Sequence, residues 1–254
     1  MIRTRLGLLG LCAVVLGVMA FSASAAQAES TAVWLILTEE TFKNEKGETE
    51  HKVKTGAELP AVVEGSLENN EGSLLSKITG IAVQFKCTAA TLVGVKLEKE
   101  GKLTEGGKVK FTGCKTFLNG AEATECVPHS GSEPAGTLLS NEGKGLLVLH
   151  EPSAGVKEGV TRIEPKTGAT FITLTLGASC PIGNSVPIIG KLFVKDCEGK
   201  LTTHLVKHLI EELKALTKLW TISETAEHVA TIDGSAMVFL GSPHTGLAWG
   251  GMPG

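Results

Sequence analysis

The feature that most constrains the fold of this chain is the alternation of apolar and polar residues along several short segments. Val93, Val95 and Leu97 alternate with glycine and lysine, and the segment 169–177, ATFITLTLG, intersperses its apolar residues with threonine. Successive side chains of a β-strand point to opposite faces of the sheet, so a period of two predicts half-buried strands. Threonine also favours strands because its branched Cβ fits a pleated surface.

Turn-forming residues recur between these segments. They are Glu105-Gly106-Gly107, Asn141-Glu142-Gly143, Thr167-Gly168, Gly183-Asn184 and Asp233-Gly234. Short strands separated by regular turns are typical of antiparallel architectures. The sequence therefore predicts a mainly β chain, folded as an antiparallel β-sandwich or a barrel-like domain.

One segment, residues 203–216, has the spacing of an amphipathic helix. Its apolar residues follow a helical stripe, and they are Leu205, Val206, Leu209, Ile210, Leu213 and Leu216. Thr202 or Thr203 could cap the first turn. Because Leu205, Lys207 and Leu209 also alternate, a strand over THLVKHLI is the competing interpretation. We predict at most one substantial helix, near residues 203–216.

The N-terminal segment has the pattern of a secretory signal peptide. Arg3 and Arg5 precede an uncharged apolar run over residues 6–21, and Ala26-Gln27-Ala28 matches an A-x-A cleavage site. The run is shorter than the roughly 20 residues that a membrane-spanning helix needs. We predict a signal peptide over residues 1–28 and a secreted β-rich domain over residues 29–254. This domain would be extracellular or in the cell envelope, without a stable membrane anchor.

Composition narrows the classes of partner. The chain has a formal net charge of −3, and Arg162 is the only arginine after the signal segment, so nucleic acid is not an expected partner. Asp196 and Asp233 are the only aspartates, which excludes a calcium loop rich in aspartate. No tyrosine is present, which weakens a case for an aromatic sugar-binding surface. We predict no cofactor, and the partner stays unidentified.

The cysteines after the signal segment predict disulfides, because an exported chain folds in an oxidising compartment. A hairpin at Asn119-Gly120 would bring Cys114 towards Cys126. A two-residue loop would place Cys114 opposite Glu125, with the sulfurs on opposite faces. A three-residue loop would place Cys114 directly opposite Cys126. We therefore predict a Cys114–Cys126 disulfide.

The remaining cysteines are Cys87, Cys180 and Cys197. The segment PIGNS after Cys180 resembles a turn and VPIIGKLFVKD resembles a strand, so Cys197 would lie roughly 35 Å from that turn. A disulfide needs Cα atoms within about 7 Å of each other. We therefore predict a Cys87–Cys180 disulfide, with Cys197 unpaired.

A possible metal site lies in the same segment as the helical stripe. On a helix, His204, His208 and Glu211 would lie within about 60° of each other on the polar face. Histidines four residues apart can chelate zinc, but the H-E-x-x-H pattern also places a glutamate between them. Val206 and Lys207 occupy that interval here. We therefore interpret these residues as a solvated face and assign no metal.

Catalytic motifs are absent from the sequence: it has no G-x-S-x-G elbow, phosphate-binding loop or dinucleotide-binding loop. A hydrolytic triad could be composed from Ser235, Asp233 and either His228 or His244. Asp233-Gly234 is more typical of a turn, and a triad is defined by geometry rather than by proximity in sequence. We assign no catalytic residue.

Several segments together resemble a group of uncharacterised secreted proteins of soil actinobacteria. These segments are FTGCK followed by a second cysteine, KDCEGK, HLVKHLIEE and the tail IDGSAMVFLGSPHTGLAWGG. The resemblance implies a secreted β-rich domain, and it carries no substrate and no functional residues.

These observations favour a non-enzymatic β domain that is cross-linked by disulfides and has a binding or cell-envelope role. The alternative is a secreted hydrolase that acts on a cell-wall or environmental polymer. A deep pocket that gathers two carboxylates, or His204, His208 and a third ligand, would favour the hydrolase.

Overall fold

Antiparallel strands account for nearly all regular structure in the computed structural model, which describes residues 32–37, 40–43, 46–52, 59–201, 203–223 and 226–253. The prediction of a mainly β, antiparallel, sandwich or barrel-like domain is confirmed. The segment Thr31–Gly254 forms one compact unit. The predicted signal peptide, residues 1–28, lies outside the described residues.

The strands follow one another with short connections. They are β1 (Ala32–Ile36), β2 (Glu40–Lys43), β3 (Thr49–Lys52), β4 (Ala61–Ile78), β5 (Ile81–Cys87), β6 (Ala89–Val93), β7 (Lys96–Leu97), β8 (Lys102–Thr112), β9 (Lys115–Leu118), β10 (Ala121–Glu122), β11 (Leu138–Leu139), β12 (Gly143–Ser153), β13 (Val156–Pro165), β14 (Thr170–Thr175), β15 (Ser185–Asp196), β16 (Lys207–Glu212), β17 (Lys218–Ser223), β18 (Ala226–Leu240) and β19 (Trp249–Pro253). Short 3₁₀ turns cover Lys99–Gly101 and Thr124–Cys126.

Pairing between β4 and β18 closes part of the main sheet into a ring. The order around this strand ring is β4, β7, β8, β12, β13, β15, β16 and β18, and the pairs Leu67–Ala236 and Val63–Leu240 complete it. The second half of β4 pairs with β5, and β5 pairs with β9, so the sheet continues beyond the ring. On the other side, β17 pairs with both β15 and β18, and β14 pairs with β15.

Long strands connect the ring with this extension, and glycine bulges bend them. Gly106 in β8 has a φ of +106° and Gly234 in β18 has a φ of +118°, a region that disfavours L side chains. The register between β18 and β4 shifts beside Gly234. The segments Glu105-Gly106-Gly107 and Asp233-Gly234 are therefore bulges within strands rather than turns between strands, as glycine inside a strand often is.

The described residues bury two apolar clusters. The ring core lies inside the strand ring and includes Val63, Leu97, Leu147, Val238 and Trp249. The disulfide core lies under the sheet extension and includes Phe85, Leu138, Ile172, Leu174 and Ile188, together with Cys87, Cys114, Cys126 and Cys180. Alternate residues of each long strand face these clusters, which is the origin of the period of two in the sequence.

A two-stranded ribbon formed by β1 and β19 packs against the ring core. The ribbon pairs Trp34 with Gly251 and Ile36 with Trp249. The two indole rings lie 5.8 Å apart between centroids, and the Trp34 indole N–H donates to the carbonyl of Lys102 at 3.2 Å. A side chain at Gly251 would meet Leu147, so this glycine allows the close approach of the ribbon.

The structure joins the four expected cysteines, but in other pairs. The disulfides are Cys87–Cys114 and Cys126–Cys180, so the predicted pairs Cys114–Cys126 and Cys87–Cys180 are wrong. Pairing of Lys86 with Lys115 in β5 and β9 makes Cys87 and Cys114 the next residues across the ladder.

The error arose at the Asn119-Gly120 hairpin. Leu118 pairs with Ala121, so the loop has two residues rather than three. Asn119 and Gly120 both have positive φ, which is the geometry of a two-residue hairpin turn. Cys126 then lies in the 3₁₀ turn that follows β10, where it reaches Cys180 after β14.

The prediction of at most one substantial helix holds, and residues 203–216 follow the strand alternative rather than the helical one. Residues 207–212 form β16, and residues 214–216 lie in a turn. β16 pairs with β15 on one side and with β18 on the other, so hydrogen bonds from both neighbours hold it in the sheet. The competing interpretation, a strand in this region, was the correct one.

Candidate functional site

A cavity of about 410 Å³ lies between the ring core and the disulfide core. Leu97, Leu147 and Val238 line it from the ring core, and Phe85 and Leu174 line it from the disulfide core. Most of its remaining lining is also apolar or glycine. Its volume falls in the range of about 300–1,000 Å³ that is typical of small-molecule sites.

Small residues leave space where the long strands pass from one core to the other. Gly72 of β4 pairs directly with Gly234 of β18, and both line the cavity. Ala236 and Ala90 line it as well. Side chains of this size contribute little interior volume, so the two cores do not meet in the middle.

The part of the lining formed by Asp196 of β15 with His208 and Glu212 of β16 is called the polar end of the cavity, and other charged residues, including Lys108, Lys144 and Asp233, also line it. Asp196 of β15 and His208 of β16 both line the cavity, and His208 is only 3% exposed. His208 Nδ1 donates to Asp196 Oδ2, while Nε2 faces the carbonyls of Trp249 at 2.8 Å and Leu205 at 3.1 Å. With an acceptor at each ring nitrogen, the imidazolium is the form that satisfies all these contacts.

The pKa of His208 is raised above the ordinary histidine value. Burial alone would lower this pKa, but the hydrogen bond and charge of Asp196 outweigh burial, with help from the Trp249 and Leu205 carbonyls. The second oxygen of Asp196 accepts from the backbone N–H groups of Glu198 and Gly199. The Asp196–His208 pair is therefore fully hydrogen-bonded, and it holds the end of β15 against β16 rather than presenting a free base.

Glu212 is the second buried charged group of β16. It lines the cavity, is 8% exposed, and follows His208 and Ile210 on the inward face of the strand. Oε2 accepts from the N–H of Ile232 at 2.7 Å, whereas Oε1 is buried without a hydrogen-bond partner. Burial raises the pKa of Glu212, although the Ile232 N–H, the Thr217 hydroxyl and Lys214 act in the opposite direction.

The three residues considered for a metal site do not converge. His208 and Glu211 both line the cavity, but adjacent positions of a strand alternate between faces, and Glu211 pairs with Lys195 at 3.0 Å between Nζ and Oε1. His204 lies before β16 and is half-buried, and its pKa is lowered by burial and by the nearby charge of His208. Within the described residues, no group of three or more histidine, cysteine, aspartate or glutamate side chains is arranged to hold a metal ion.

The residues of the imagined triad are also separated by their contacts. The Ser235 hydroxyl donates to Glu68, and Asp233 pairs with Lys214 at 3.6 Å. His228 lies in β18 opposite Thr221 of β17, and His244 lies in the turn between β18 and β19.

Cys197 is unpaired and exposed at the end of β15. Partial burial of the sulfur, followed by the charge and hydrogen bond of Glu211, raises the pKa of the thiol to about 11. Lys195 opposes this shift but does not cancel it. The thiol form therefore predominates at neutral pH, and the residue is not an activated nucleophile.

Sequence reasoning missed Asp196, Glu212 and Trp249 as parts of one site. The alternation of His208, Ile210 and Glu212 was the available signal, because a strand places all three on one face. The helical interpretation instead grouped His208 with Glu211, which the strand sends to the opposite face.

Comparison of the chain with protein-family models, with curated proteins and with solved structures found no match. The fold and the cavity define an antiparallel β domain with two disulfides among its described residues and a largely apolar cavity. Over the part of the chain that is described, no helix is long and apolar enough to span a bilayer.

Proposed function

We propose that this protein is a secreted, non-enzymatic binding domain that encloses one apolar small molecule in the cavity between its two cores. The observation that carries the proposal is the cavity itself, about 410 Å³ in volume and lined mainly by apolar side chains. Closed antiparallel sheets of this kind are suited to holding one small ligand in the interior. A ligand there would remove apolar surface from water on both sides of the contact.

The energy available is sufficient for tight binding. Each square ångström of apolar surface removed from water contributes about 25 cal/mol, and a ligand enclosed by both cores would bury most of its surface. The cavity walls belong to strands paired on both sides, such as β4, β15 and β18, so the site is preformed. A preformed site loses little conformational entropy when the ligand enters.

The chemistry at the polar end favours binding over hydrolysis. Glycoside hydrolysis needs two carboxyl groups that are free to act on the substrate. Both oxygens of Asp196 are occupied by hydrogen bonds, and Glu212 retains only one free oxygen. The other carboxylates of the lining, Glu211 and Asp233, pair with lysines. The alternative of a polymer-degrading hydrolase therefore has less support than the binding role.

The proposed location is outside the cell or in the cell envelope. The disulfides Cys87–Cys114 and Cys126–Cys180 support it, because such bonds persist in oxidising compartments. The signal-peptide pattern of residues 1–28 supports the same location. We also propose that the chain is related to the secreted proteins of soil actinobacteria that it resembles, which would place it in the same location.

Fluorescence of an apolar dye tests the proposal. N-phenyl-1-naphthylamine should bind the purified domain, residues 29–254, with one site and an increase in fluorescence. Ala236→Leu in β18 places a larger side chain in the cavity and should weaken dye binding at least about tenfold. Ala226→Leu is the matched control, because it makes the same change at an exposed position of the same strand.

A second filling variant, Ala90→Leu in β6, guards against a folding defect in Ala236→Leu. It should also weaken dye binding, and cooperative thermal unfolding of each variant checks that it folds. No dye binding by the unaltered domain, or equal binding by Ala236→Leu, Ala90→Leu and Ala226→Leu, would refute a ligand site in this cavity.

A further inference from the structure

The free oxygen of Glu212 is the polar atom in the cavity lining that most needs a partner. The side chain is 92% buried, since only 8% is exposed, and its Oε1 has no hydrogen bond. A buried carboxyl oxygen without a partner loses its hydrogen bonds to water and gains none in return, which destabilises the folded protein. We therefore expect a hydrogen-bond donor from outside the chain to occupy this position.

The groups around Glu212 leave that oxygen unsatisfied. The Thr217 hydroxyl is near enough to Glu212 to lower its pKa, but its hydrogen bonds are with the backbone of Phe193 and none reaches Oε1. Val194 lies opposite Glu212 across the β15–β16 ladder. Lys214 pairs with Asp233 at 3.6 Å, and these two side chains are 59% and 68% exposed.

The charged pair deeper on the same face is also occupied. His208 lies four residues before Glu212 on β16, and Asp196 lies opposite Ile210, two positions from Glu212 along the ladder. These two side chains bond to each other, and neither supplies a hydrogen bond to Glu212. The indole N–H of Trp249 is buried without a partner as well, but it lies beside His208. An unpaired neutral N–H costs less than an unpaired carboxyl group, so the strongest demand for a partner is at Glu212.

We propose that Glu212 anchors the head of the ligand, and that the ligand is an apolar chain bearing one hydrogen-bond-donating head, preferentially a cationic amine. The apolar walls enclose the chain, and the head donates to Glu212 Oε1. A charged donor forms a stronger hydrogen bond with a carboxylate than a neutral donor does. This inference rests on the proposed function, because it assigns the chemistry of a ligand in the same cavity.

A series of ligands with one chain and three heads tests the inference. Dodecylamine, dodecanol and dodecanoic acid, each below its micelle-forming concentration, compete with N-phenyl-1-naphthylamine at pH 8, where an ordinary glutamate is ionised. We expect the amine to bind at least about tenfold more tightly than the acid, with the alcohol between them. The preference is a property of the unaltered protein and needs no variant.

A pair of matched variants assigns the preference to Glu212. Glu212→Gln keeps the shape of the side chain and removes its charge, so the advantage of the amine over the acid should fall by roughly tenfold. Glu227→Gln removes the same charge from an exposed position of β18 and should preserve the advantage. The pair therefore separates a specific contact from the general attraction of an amine to an acidic protein.

The outcomes distinguish the inference from the function on which it rests. Dye binding with equal affinity for all three heads, or a preference for the acid, would overturn the donor-head assignment and leave the binding function standing. A preference for the amine that survives Glu212→Gln would overturn the role of Glu212. Failure of the dye and of every chain to bind would overturn the proposed function itself.

Discussion

His208 and Glu212 enter the cavity from the same strand, yet their hydrogen bonds give them different roles. Every polar atom of the Asp196–His208 pair has a partner, so this pair fixes the sheet at the polar end. Glu212 keeps one oxygen free and faces the apolar volume. At the scale of single residues, the first arrangement is structural and the second is available to a ligand.

Substitution of His208 should destabilise the protein most at acidic pH. A raised folded-state pKa gives stabilisation that is complete below the ordinary histidine pKa, about 6.5, and is lost as the pH rises through the folded-state value. His208→Gln should lower the free energy of unfolding by about 2 kcal/mol at pH 5.5, because it leaves the half-buried Asp196 without its charged partner. The deficit should shrink towards pH 9, as measured by urea unfolding.

His150→Gln is the control for this experiment. His150 lies in β12 and takes no part in the Asp196 pair, so the change should be within about 0.5 kcal/mol at either pH. A deficit for His208→Gln that grows with pH would contradict a protonated His208.

Cys197 should react slowly with alkylating reagents despite its exposure. With a pKa of about 11, its thiolate fraction at pH 7.5 is roughly a hundredfold below that of an unperturbed cysteine. Iodoacetamide labelling followed by mass spectrometry measures the rate. Glu211→Gln should speed labelling several-fold because it removes the neighbouring negative charge. Labelling of the unaltered protein as fast as that of its urea-unfolded form would contradict the raised pKa.

At the scale of strands and loops, the structure assigns the stabilising cross-links to the disulfide core. Cys87–Cys114 ties the adjacent strands β5 and β9 across 27 positions of sequence, and Cys126–Cys180 ties two turns across 54 positions. In the chain-entropy model, longer loops give larger stabilisation, here about 3.5 and about 4 kcal/mol. The disulfide that joins the turns should therefore be the more stabilising.

Removal of the longer cross-link should have the larger effect on stability. Cys126→Ser should lower the free energy of unfolding by about 4 kcal/mol, and Cys114→Ser by about 3.5 kcal/mol. Cys197→Ser, which removes an unpaired and exposed thiol, should have little effect. Non-reducing peptide mapping should recover Cys87 linked to Cys114 and Cys126 linked to Cys180. A Cys114–Cys126 peptide would show that the hairpin at Asn119 has a three-residue loop after all.

Local sequence patterns predicted that strands exist better than they predicted where each strand ends and which strand it pairs with. VPIIGKLFVKD was predicted as a strand, and β15 covers all of it. Residues 203–216 carry apolar pairs that suit a helix, but pairing with β15 and β18 overrode that preference. The choice between a two-residue and a three-residue loop at Asn119 changed every disulfide partner, although the turn itself was predicted correctly.

At the scale of the whole molecule, closure of the sheet creates the site. The ring is completed by β4 and β18, which pair Leu67 with Ala236 across most of the sequence. Alternation reports which face of a strand is buried, but it carries no information about which distant strand lies beside it. The cavity depends on this long-range pairing, so the sequence predicted a β domain and could not predict the space between its cores.

Diffraction from crystals held under xenon gas tests the central claim most directly, because xenon enters dry apolar cavities and scatters anomalously. We expect a strong anomalous peak in the cavity between Leu147 and Val238 of the ring core and Phe85 and Leu174 of the disulfide core. In crystals of the Ala236→Leu variant, that peak should be weaker. A cavity that takes up no xenon, or in which the side chains of the two cores meet, would contradict the account.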